Sequence, residues 1–93
     1  MGGGGVLTIQ RVDMIFVEMW KELEAAREKF EDFGNAHEAW GVIREEYLEL
    51  ERAIMENKNP DARERIRAEA IQLGAMAGRL VDYLDNLDDG VTP

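Results

Sequence analysis

The chain has 93 residues, no cysteine, one histidine and a formal net charge of −9, with twenty acidic side chains against eleven basic ones. A chain of that length allows one small domain whose private core needs help from a partner subunit or a bound ion, and the missing thiols with a lone histidine exclude disulfides and the usual zinc sites. The acidic balance argues against nucleic acid and anionic membranes as partners, and with no apolar run near the ~18 residues of a membrane span and no visible signal peptide the expected compartment is the cytoplasm.

Residues 1–7 carry a glycine run, Gly2 to Gly5, that cannot sustain helix or strand and is set aside as a disordered tail or cloning scar. From Thr8 a helical spacing begins, and Ile9, Val12, Phe16, Trp20, Leu23 and Phe30 form the stripe that should face a core. This first helix is predicted to run to Phe33 and stop at Gly34. Asn35 can then cap a second helix, with Glu38 three places on as a capping-box variant. Its stripe is Ala39, Ile43, Tyr47, Leu50 and Ile54, fading at Asn57 to Asn59. Asn59 as cap and Pro60 at the first position predict a third helix reaching Leu87, with residues 89–93 frayed. Residues 8–88 thus form a single all-α domain. The short connections predict an antiparallel helical bundle of about three helices per chain, completed by oligomerisation.

The acids are not spread evenly. With Ile43 at the centre of its stripe, Glu46 lies about 60° and Glu49 about 120° to one side. With Ile66 at the centre of the third helix, whose stripe is Ala70, Leu73, Ala77, Leu80 and Leu84, Glu69 and Gln72 take the same two bearings. Glu46-Tyr47-Leu48-Glu49-Leu50 therefore aligns with Glu69-Ala70-Ile71-Gln72-Leu73 as a short internal repeat. Packed antiparallel, the two helices bring these groups to one half-buried spot. Carboxylates gathered there repel and resist desolvation unless a cation compensates them, and oxygen ligands suit Mg²⁺ or Mn²⁺ over zinc or copper. Solvated charge at a helix edge is the plainer alternative. The small residues of the face Ile71, Gly74, Ala75 and Gly78 are expected to admit a partner subunit.

The same residues resemble the MazG-like nucleoside triphosphate pyrophosphohydrolases of the all-α NTP pyrophosphatase superfamily, in a short phage- or cassette-type branch. That family has Glu-Glu-x-x-Glu on one helix and Glu-x-x-Asp on the next. Here the motifs stand as Glu45-Glu46-Tyr47-Leu48-Glu49 and Glu69-Ala70-Ile71-Gln72, and the likeness covers about Val12 to Leu84. The resemblance implies Mg²⁺, with Mn²⁺ as the alternative, held by Glu46, Glu49 and Glu69, with Gln72 in the fourth ligand position. It also implies a homodimer or homotetramer and hydrolysis of an NTP or dNTP to NMP and pyrophosphate. Gln72 stands where the family has Asp, and an amide carbonyl can coordinate a hard cation but adds no charge and cannot act as a base.

On this reading Glu45 or Glu49 activates the attacking water, and Arg79 and Lys58 neutralise phosphate, Arg79 having a salt bridge to Glu46 or Glu69 as its alternative role. Trp40 could stack on a base and His37 could touch substrate, against plain packing and capping roles. Trp20 is read as core. The competing reading is a catalytically inert bundle of the same kind that binds nucleotide or a protein partner.

Overall fold

Three helices, α1 (Ile9–Lys29), α2 (Ala36–Met55) and α3 (Ala62–Asp85), make up the computed structural model, which describes residues 9–93 and contains no strand among them. The expected glycine tail lies outside those residues. No described helix is long and apolar enough to cross a membrane. The bundle is all-helical, as the periodicity predicts.

The caps follow the sequence in part. Asn35 is extended and its side chain accepts from the Glu38 N–H at 2.9 Å, which starts α2 where it was expected. At α3, Asn59 accepts from the Asp61 N–H at 3.0 Å, building a turn that delays the helix to Ala62. The end of α1 departs further. It stops at Lys29 and Gly34 is not left-handed, so no glycine cap ends it. Phe33 is instead buried, with its ring edge-on to Tyr83 at 6.4 Å, and the Glu31 carbonyl accepts from Arg79 at 3.1 Å. These tertiary contacts pull the chain out of the helix before the glycine is reached. The last residues, expected to fray, fold back: the Ala36 N–H donates to the Pro93 oxygen at 2.7 Å.

α3 is the centre of the arrangement and packs on both other helices. Glu56 pairs with Arg65 near the α2–α3 connection while Val42 and Ile43 pack against the cluster that contains Ala75 and Met76, so α2 and α3 run antiparallel. Along α1 and α3 the partners rise together, Glu18 with Arg67, Glu22 with Gln72 and Arg27 with Asp82, so these two run parallel.

The helices are turned away from their purely apolar stripes. On α2 the fully buried positions are Ala39 and Ala53, which centres its inner face near Glu46 and leaves Tyr47 and Ile54 exposed. On α3 the buried residues are Ala62, Ile71, Ala75, Met76 and Arg79, and the expected stripe residues Ala70, Ala77 and Leu84 face outward. Trp20, expected in the core, is 58% exposed, and Ile9, Phe16 and Phe30 of its stripe are exposed too. Of the stripe, Leu23 does pack inward, and α1 seats itself through it together with Met19 and Ala26. The reason is that the glycines of α3 leave room for the side chains of α1. A Cβ on Gly74 would lie 2.8 Å from Met19 Cε, and one on Gly78 would lie 3.1 Å from Leu23 Cδ1. The small-residue face expected to receive a partner subunit is thus occupied by α1 of the same chain.

Candidate metal centre

α1 and α2 flank α3 like the sides of a V, and the open side is a cleft of about 650 Å³. The inward rotation of α2 carries Glu46 into this space, and Glu38, Val42 and Glu45, one or two turns apart on the same flank, complete that wall. α3 contributes Gln72, Met76 and Arg79 at the apex, and α1 contributes Glu22, Ala25, Ala26 and Lys29.

Below Glu46, three carboxylates converge. Glu46, Glu49 and Glu69 each offer one oxygen, and these oxygens lie within 4.8 Å of one another. Glu69 Oε2 is buried and has no hydrogen-bond partner. Burial raises the Glu46 carboxyl to about 7, with the charges of Glu49 and then Glu69 adding to the shift. Burial also raises Glu69, helped by Glu49 and opposed by Arg65. A proton shared between two of these carboxyls could bridge them, but with all three ionised the buried oxygen is orphaned. The donors are hard oxygens only, the kind that a divalent cation of the Mg²⁺ class takes. Ligands of one such ion at about 2.1 Å stand at most about 4.2 Å apart, so oxygens spread over as much as 4.8 Å would have to draw together to share it.

The other predicted positions divide. Glu45 lies on the cleft wall and Glu49 in the triangle. Gln72 is not a member of the triangle; its Nε2 donates to Glu22 Oε2 at 2.6 Å. Arg79 is only 6% exposed and has no carboxylate partner among the described residues, against the salt bridge considered for it. It donates to the Glu31 carbonyl and the Met76 sulfur, and its guanidinium lies 4.3 Å from the Phe33 ring centre. Trp40 and His37 are exposed and off the cleft, because the wall uses the opposite flank of α2. Lys58 is exposed in the α2–α3 connection, also off the cleft.

Glu22, Lys29 and Phe33 line the cleft without having been assigned to a site from the sequence, and Phe30, expected to face a core, lines it as well. A signal for the α1 wall was present in Ala25-Ala26, a small pair among larger side chains that marks where two helices approach closely. No protein-family model matches the chain, and no curated protein or solved structure was found to be similar to it.

Proposed function

We propose that this protein is a Mg²⁺-dependent nucleotide pyrophosphohydrolase that cleaves an NTP or dNTP to NMP and pyrophosphate. The observation that carries the reading is the convergence of Glu46, Glu49 and Glu69 with a buried, unpaired Glu69 oxygen beside a cleft. The resemblance of the two motifs to MazG-like proteins supplies the reaction type. A bound Mg²⁺ or Mn²⁺ would offset charge on the phosphoryl oxygens and lower the pKa of a bound water.

The chain's own residues divide the remaining work. Glu46, Glu49 and Glu69 would hold the cation. Glu45, on the cleft wall but outside the triangle, takes a proton from the attacking water as the bond between the α- and β-phosphates opens, with Glu49 as the alternative base. Arg79 and Lys29 bring positive charge to the polyphosphate. Phe30, exposed at the same cleft, offers a ring face to the base, the role first considered for Trp40.

One observation favours the inert alternative, a bundle that binds nucleotide without turnover: the Gln72 amide is engaged by Glu22, and no fourth acid stands at position 72. A pyrophosphate-release screen over NTPs and dNTPs, with Mg²⁺ or Mn²⁺, separates the two. Release that disappears in Glu46→Gln supports the enzyme. Nucleotide binding without release selects the inert reading. If millimolar Mg²⁺ leaves the melting temperature unchanged, the cation site itself fails.

A further inference from the structure

The internal repeat gives α3 an amide where α2 has an acid: Glu46 and Glu49 on one helix, Glu69 and Gln72 on the other. Gln72 is not an idle substitute. It sits one turn on from Glu69, lines the cleft and directs its Nε2 to Glu22 Oε2 at 2.6 Å. An ionised carboxylate is acceptor-only, so it fixes which end of the amide faces it. An acid at position 72 would instead set two like charges at that distance. The amide at 72 and the acid at 22 are therefore matched: one charge between them, carried on α1 rather than α3.

We propose that Glu22 supplies the cation site with the negative charge that position 72 lacks, and that Gln72 is the positioning residue holding that carboxylate at the cleft. Glu22 stands outside the 4.8 Å triangle, and its partner Gln72 lies one turn from Glu69 on α3, so its action is that of an outer carboxylate acting through its charge across the cleft. It shares the cleft with Glu45 and Glu46. Groups hydrogen-bonded directly to a metal's ligands change its affinity by about 10- to 100-fold when removed, and a carboxylate one contact further out is expected at the lower end of that range. The inference rests on the cation reading of Glu46, Glu49 and Glu69. It also gives α1 a part in the site that its sequence motif does not announce.

The test is Mn²⁺ binding to the full chain by isothermal titration calorimetry, without nucleotide, beside melting temperatures of each metal-free variant. Glu22→Gln keeps the size and hydrogen-bonding capacity of the side chain, so a purely structural contact to Gln72 would survive it. The expected result is Mn²⁺ affinity lowered about tenfold with the metal-free melting temperature not reduced. The exchange Glu22→Gln with Gln72→Glu keeps both the hydrogen bond and the charge and should restore binding. An exchange variant as weak as Glu22→Gln overturns the proposal. Wild-type affinity in Glu22→Gln, with binding lost in Glu46→Gln, overturns it while sparing the cation site. Affinity unchanged in both single variants, or absent in the wild type, overturns both.

Discussion

Glu46 holds a proton that an ordinary glutamate would release, and this ties the stability of the metal-free protein to pH. Its carboxyl titrates at about 7 in the fold and near 4.5 when unfolded, because burial and then the charges of Glu49 and Glu69 oppose ionisation. Between those values the folded chain binds the extra proton, so stability from this group is full below about 4.5 and lost as pH rises through 7. Glu69 is raised in the same sense, whereas Glu18 is lowered by Arg67 and acts in the acid range instead. Thermal scans without metal should therefore show a melting temperature that falls from pH 5 to pH 8, less steeply in Glu46→Gln, with that variant the more stable at pH 8. Because the cation competes with the proton, added Mg²⁺ should raise the wild-type melting temperature more at pH 8 than at pH 5. An identical slope in the variant would contradict the assignment. The triangle was legible in the sequence because helical spacing alone puts Glu46, Glu49 and Glu69 on matching flanks. Glu22 and Phe33 were not, since their places depend on how α1 crosses α3 and where it ends. Trp40 and His37 were misplaced for a related reason: a short amphipathic helix does not announce which of its flanks borders a cleft.

The two helical glycines Gly41 and Gly74 separate propensity from packing. A Cβ added at Gly41 meets nothing within 4 Å, so Gly41→Ala should stabilise the chain by about 0.8–1 kcal/mol through helix propensity alone. At Gly74 the same atom would lie 2.8 Å from Met19 Cε and 2.9 Å from Met19 Sδ. The flexible end of Met19 can swing away from a single Cβ, but valine adds two further carbons, and the overpacking should cost about 1–3 kcal/mol as Met19 loses its seat on α3. Urea midpoints at constant slope measure both changes, and a stabilising Gly74→Val would disprove the close approach. The contrast explains what periodicity could and could not deliver. Helix existence, the Asn35 cap and the all-α class follow from local spacing and chemistry. The rotation of each helix does not, because each carries more apolar surface than two neighbours can cover. Small residues decided the contest: Ala39 and Ala53 on α2 and Ala75 on α3 are among the buried positions, Gly74 and Gly78 leave room for Met19 and Leu23, and larger side chains such as Trp20 and Tyr47 are left outside.

That choice leaves the back of the V apolar. Phe16 and Trp20 on α1, Tyr47 and Ile54 on α2, and Val81 and Leu84 on α3 are each between 41% and 62% exposed. By helical bearing all six lie on the side away from the cleft, where α3 has no covering helix. Their exposed side chains amount to about 600 Å², close to the ~800 Å² that each partner buries in an ordinary stable interface and at the upper end of what a monomer leaves open. A second copy would fit here, because an isologous contact would pair this apolar patch with itself and leave both acidic clefts facing solvent. The small-residue face that the sequence offered for this purpose is already filled by α1, so a second copy would have to dock on the large residues instead. Light scattering of the wild type should therefore give at least twice the 10.6 kDa chain mass. Trp20→Glu places a charge on the patch and should cost about 2 kcal/mol or more of association, roughly thirtyfold in Kd, with dissociation to monomers on dilution. Glu45→Gln, on the cleft side, should leave the mass unchanged. A wild type that scatters as a monomer at high micromolar concentration, or a Trp20→Glu variant as tightly associated as the wild type, would remove the second copy from the account of how this chain covers its apolar side.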